Sequence, residues 1–290
     1  MGKPLNLNGG WEEMRDLLRS WREDNARKSE EVVEIWENVL EKNQNKLSQE
    51  KWTVLEQVMI AALDCGKSTV ADSCLSALRR EFPGSLRVKK LKAMWFEASE
   101  RYEEALCSYE HLIKEDPTNG VYKKRKIAVL KAMGNGSDCI KELCEYVEKF
   151  MSDTEAWCEL CDLYIAEQDY SKAAFCMEEL ILNNPHHHLY HLRYAEIKYT
   201  QGGHDNMEIA KTYYAQALKL NPNNIRALYG VFLTAGFLAN SPKSTSTKRD
   251  ECSKLIAWAT KQLSNKYEEA ESDMKTLNTM INSMTIQVKS

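Results

Sequence analysis

The side chains able to do chemistry are few, and each has a structural alternative. Cys158 and Cys161 form a Cys-x-x-Cys pair, the spacing of a redox couple or of half a zinc site. A zinc site would need a second pair, and a redox couple a thioredoxin-like setting. Neither accompanies it, so packing inside a helix is the expected role. His186, His187, His188 and His191 crowd behind Pro185, and His187 and His191 share a helix face at the spacing of zinc ligands. No His-Glu-x-x-His occurs and no acid follows at a ligand-like spacing, so the cluster reads as the polar opening of a helix. There is no glycine-rich phosphate loop and no Gly-x-Ser-x-Gly elbow. Pairs such as Glu103-Glu104 and Glu178-Glu179 read as solvated helix faces. Nothing here supports an enzyme, a metal or a cofactor. Two basic runs are left: Arg87, Lys89, Lys90 and Lys92, then Lys123, Lys124, Arg125 and Lys126.

The elements that carry these residues are set by proline. Pro83, Pro117, Pro185 and Pro222 close short turns. From Pro83 to Pro117 is one step, from Pro117 to Pro185 two, and from Pro185 to Pro222 one that is slightly lengthened. A step of about 34 residues, with proline ending each unit, marks tetratricopeptide (TPR) repeats, paired helices that stack side by side. Small residues at positions 8 and 20 let two helices cross closely, and bulkier ones at 4, 7, 11 and 24 fill the layer between them. Five frames fit, over about 52–85, 86–119, 120–153, 154–187 and 188–224. Met59 and Ala71, Ala93 and Ala105, Cys161 and Ala173, and Ala195 and Ala210 take the crossing slots, with Cys139 in the third frame. The third frame has Met151 in the proline slot, and the Gly202-Gly203-His204 stretch loosens the fifth. Before them, residues 1–51 supply capping helices, Trp11–Ala26 and Ser29–Lys42. After them, 225–290 is a degenerate sixth repeat plus a C-terminal helix: a helix over Ile225–Leu238, a polar, mobile loop over 240–249, a helix over Glu251–Gln262, and an apolar seam through Tyr267, Ala270, Met274, Leu277, Ile281 and Met284. The seam packs on its own chain or docks on a partner. The predicted fold is an all-α, right-handed TPR solenoid with helical caps.

In that fold the first helix of each pair lines the inner surface. Arg87, Lys90 and Lys124 are therefore candidate partner-binding residues, forming an electropositive groove for an acidic segment; the alternative is an ordinary solvated face. The clamp by which some TPRs hold chaperone tails is incomplete: Lys90 fits, but Met94 and Arg125 stand where asparagines are needed. The net charge of −4 over 290 residues gives no polyanion-binding character, so no nucleic-acid partner is expected. Nine cysteines at helical positions read as reduced thiols. No secretory signal and no membrane span is recognised, so a soluble chain is expected.

Several strings outside the repeat slots are more specific. They include EQVMIAALD at 56–64, RREFPGS at 79–85, DYSKAAFCMEEL at 169–180, NPHHHLY at 184–190, YAEIKYTQGG at 194–203 and YAQALKLN at 214–221. From about Trp11 to Gly230 the chain resembles the subunit 2 family of the endoplasmic reticulum (ER) membrane protein complex. The resemblance implies a peripheral, non-catalytic scaffold on the cytosolic face of the ER membrane, in a hetero-oligomer that inserts transmembrane helices, including those of tail-anchored proteins. Its partners would be membrane-embedded subunits and another soluble cytosolic subunit. The rival readings are a free cytosolic TPR adaptor or co-chaperone, and a helical-repeat RNA binder.

Overall fold

A computed structural model of the protein describes residues 10–269 together with Thr276, Thr279, Met280 and Ser283. Among the described residues every regular element is helical. The chain forms two compact units that divide after Glu142.

The first unit opens with α1 (Trp11–Glu23) and α2 (Ser29–Ile35), then runs through α3 (Lys51–Asp64), α4 (Ser68–Glu81), α5 (Leu86–Ala98), α6 (Tyr102–Glu115) and α7 (Gly120–Ala132) into α8 (Gly136–Lys149), which holds the division. Met14, Leu18 and Trp21 of α1 are buried together with Val32, Val33, Ile35 and Trp36, as their spacing predicts. The second capping helix is shorter than expected. After Ile35 it widens into a π-turn at Trp36–Leu40 and then 3₁₀ turns over Glu41–Lys46. Asn38 and Asn43 turn their amides back onto the carbonyls of Glu34 and Val39, at 2.9 and 2.8 Å, and so compete with regular helix bonding. Arg19 pairs with Glu50, and Gln57 Nε2 donates to Leu18 O at 3.2 Å, fastening α1 to the start of α3.

The second unit contains α9 (Thr154–Ala166), α10 (Tyr170–Asn183), α11 (His188–Gln201), α12 (His204–Leu220), α13 (Ile225–Asn240) and α14 (Ser246–Glu269). The polar stretch expected to be a loop over 240–249 is mostly structured. Ser244 is buried and its Oγ donates to Leu238 O at 2.6 Å, and Arg249 reaches Ser241 O at 3.2 Å. These bonds absorb the end of α13 and let α14 begin at Ser246. Of the C-terminal seam, Tyr267 packs on the α11–α13 core and accepts a hydrogen bond from Tyr229 at 3.2 Å; Ala270, Met274, Leu277, Ile281 and Met284 lie outside the described residues.

The same devices build the hairpins of both units. At Phe82, Asp116, Asn184 and Asn221 the backbone leaves the helical region (φ −124 to −141°, ψ 65 to 96°), because the following proline crowds it. Asn119, Asp153, Asp169 and Asn224 cap the helices they precede by accepting a backbone N–H. Between paired helices the chain turns through a residue of positive φ: Gly66, Glu100, Gly134, Gln168 and Gly202, evenly spaced at one repeat length. Where the helices cross, Ala71, Ala93, Ala105, Ala173, Ala195 and Ala210 are fully buried. Gly230 of α13 serves the same end: a Cβ there would lie 2.4 Å from the ring of Tyr214, so only glycine lets α12 pack this close.

Candidate functional site

The residues singled out for chemistry prove to be parts of the packing. Cys161 sits in its crossing slot, buried, and its Sγ donates to Ala173 O at 3.5 Å. Cys139 does the same from the opposite helix of its pair, donating to Ile127 O at 3.8 Å. Burial pushes the Cys161 thiol up to about 12 and raises Cys158 as well, the reverse of what a nucleophile needs. His187 stacks on Tyr190 with ring centroids 4.1 Å apart. His188 lies 3.3 Å from the amides of both Asn221 and Asn224, and buried His191 donates from Nε2 to Pro185 O at 2.8 Å. The histidines thus tie α11 to its neighbouring turns. Among the described residues no three His, Cys, Asp or Glu side chains converge to hold a metal.

The basic runs are more informative, because the chain supplies most of their counter-charges. Arg87 on α5 holds Glu56 on α3 at 2.6 Å, Lys89 holds Glu115 at 2.8 Å, Arg125 on α7 holds Glu97 on α5 at 2.7 Å, and Lys126 holds Glu142 at 2.8 Å. Lys90, half-buried, shares with Arg87 a recess of about 440 Å³ bordered by Glu56, Asn119 and Tyr122. Lys124, also half-buried, is on α7 outside that recess. Arg87 and Lys90 thus share one recess.

The second unit repeats the device. Arg193 on α11 holds Asp162 on α9 at 2.6 Å, and Arg226 on α13 holds Glu196 on α11 at 2.6 Å. Each link runs from a carboxylate on the first helix of one pair to an arginine on the first helix of the next, a little under one repeat further along the chain. Sequence reasoning noted the arginines of the basic runs and missed the acids. The signal was present as Glu or Asp nearly one repeat before each Arg, but it shows only when frames are superposed.

A recess of about 700 Å³ lies in the first unit, walled by α1, α2, α3, α5 and α7. Trp21, Ile60, Leu63 and Met94 give it apolar surface; Arg22, Arg27, Lys28 and Arg125 face Asp64 and Glu97 within it. Arg27 binds Asp64 through two bonds, at 2.7 and 2.9 Å, and holds its carboxyl below the usual range, with Ser29 adding a third bond.

The chain is similar to known proteins. Residues 80–218 match the family model described as the EMC2 TPR-like repeat domain. The chain is 49% identical over 271 residues to ER membrane protein complex subunit 2 of Xenopus tropicalis, covering 93% of this chain and 91% of that one. It is 33% identical to the protein of the same name from Dictyostelium discoideum, covering 87% and 82%. Among solved structures, the C-terminal part of a TPR repeat-containing protein from Cytophaga hutchinsonii shares the fold at a TM-score of 0.58 and 14% identity, over 85% of this chain and 93% of that one.

Proposed function

Because the chain belongs to the ER membrane protein complex subunit 2 family, we propose that it is a non-catalytic scaffold in such a complex. It holds cytosolic segments of membrane-embedded subunits, together with a second soluble subunit, at the cytosolic face of the ER membrane. The assembly, a hetero-oligomer, places transmembrane helices in the bilayer, tail anchors among them. The chain's part is multivalent grip: segments held on one surface reach high effective concentration for one another. In this reading the repeats over 52–224 supply the gripping surface together with the N-terminal cap.

The observation that carries the reading is the pairing of arginines on the first helices with the chain's own carboxylates. In this reading the pairing ties successive first helices together and leaves the recesses for partners. Membrane attachment falls to other subunits, because among the described residues no helix is long and apolar enough to cross a bilayer. Affinity purification of the tagged chain from detergent-solubilised membranes tests this. Integral membrane proteins should co-purify in fixed ratio; recovery of the chain alone, from the soluble fraction, overturns it.

A further inference from the structure

The large recess of the first unit carries charge that the chain does not balance. Arg27 is matched there by Asp64 and Arg125 by Glu97. Arg22 and Lys28 form no ion pair among the described residues. Arg22 Nη1 is buried without a hydrogen-bond partner. The acid acting most strongly on it, Glu50, gives one oxygen to Arg19; its Oε2 is buried without a partner, and the residue does not border the recess. Desolvation already pulls the Arg22 guanidinium below its ordinary value, which marks a cation short of partners. Lys28 is exposed and lies over the Trp21 ring, 4.8 Å from its centroid, and it borders the same recess as Arg22. On α3, Gln57 spends its Nε2 on Leu18 O, and its Oε1 is buried without a donor. The recess thus asks for three things: an anion at Arg22 and Lys28, an N–H at Gln57, and apolar groups against Trp21, Ile60 and Met94.

A peptide carrying a carboxylate supplies all three. We propose that this recess binds an internal Asp or Glu of an extended partner segment, its carboxylate on Arg22 and Lys28, a neighbouring backbone N–H on Gln57 Oε1, and a flanking apolar side chain on the Trp21 wall. The site rests on the scaffold reading and names the class of segment one part of the scaffold accepts. A chain crossing the recess meets five helices, which suits a passing segment rather than a chain end. A charge-assisted bond to a guanidinium, once made in a partly buried place, is among the stronger polar contacts.

The probe is a library of random twelve-residue peptides, linked at both ends, selected on the immobilised full-length protein. A second library displays the peptides with free C-termini. Selection should enrich Asp or Glu beside apolar residues in the doubly linked library. Selected peptides, amide-capped, should lose about tenfold or more in affinity by fluorescence anisotropy on Arg22→Gln, and a smaller amount on Lys28→Gln. Lys28 is exposed, so that variant keeps its fold, and circular dichroism melting checks Arg22→Gln. No acidic enrichment, equal binding by both variants, or enrichment only with free C-termini overturns the proposal. Co-purification of membrane subunits by the wild-type chain is read separately. If it persists while peptide selection shows no acid, this site fails and the scaffold stands; if it is absent while acidic peptides bind at Arg22, the reverse holds.

Discussion

The two units use one device in two dielectric settings. In the first, the carboxylates that tie successive pairs are mostly sequestered: the side chains of Glu56 and Glu97 are 13% and 17% exposed. In the second, Asp162 is 66% exposed and Glu196 26%. An exposed ion pair is screened and contributes little, whereas a shielded carboxylate depends on its partner. The same arginine ladder is thus structural in the first unit and largely cosmetic at Asp162–Arg193 in the second, where the crossing-slot thiol of Cys161 and the Gly230–Tyr214 contact bear more of the packing. The unmatched cations likewise belong to the first unit, where the recess is wide.

Substitutions probe that contrast. The largest effect should fall on the second unit. Gly230→Ala forces the Tyr214 ring aside and should cost about 3 kcal/mol in urea unfolding, the upper end for overpacking; a loss under about 0.5 kcal/mol would mean the two helices part easily. Next, Arg125→Ala strands a shielded Glu97 and should cost about 1–2 kcal/mol, while Arg193→Ala should stay within about 0.5 kcal/mol. Equal losses by the same assay would erase the contrast between the units. Glu100→Gly and Gln168→Gly each relieve a left-handed non-glycine residue, at φ 56 and 61°. Both should gain about 0.5–1 kcal/mol, in the two units alike. A gain in one unit alone would show that the turns are not equivalent.

The smallest effect is in pH. Asp64 is held below its ordinary pKa by Arg27, so the folded state binds that proton less readily than the unfolded state does. Its stabilisation is therefore complete above the unfolded carboxylate range, about pH 4, and drains away as pH falls through the lower folded value. Wild type should be slightly more stable than Arg27→Gln at neutral pH, by a small margin since the arginine faces solvent, and the two should converge as acid is added. A difference that persists in acid would point to a packing role for Arg27.

Much of the fold was legible because its signals are local. A proline that ends a helix acts on the residue before it, and a small residue where two helices cross recurs at a fixed place in each frame. The broken helix after Ile35 and the early start of α14 were not legible, since they depend on asparagine and serine side chains choosing backbone partners. The left-handed turns at Glu100 and Gln168 were hidden for another reason: the expected glycine is absent, and the hairpin imposes the conformation against preference. The two recesses differ in this respect. Arg87 and Lys90 were marked by the charge runs, but Arg22 and Gln57 stand in no run, and what distinguishes them is a missing partner in three dimensions.

The left-handed turns have one further consequence. They recur on a fixed beat, and a helix advances about 100° per residue. Removing a single residue between two turns would swing every later side chain of that helix round by that angle, carrying its alanine away from the crossing and its arginine away from the acid. Length can change only where the backbone can take up slack, and Gly202-Gly203, with two successive positive φ angles, is such a place. Natural insertions and deletions in this family should therefore collect before α12 and spare the helices on either side.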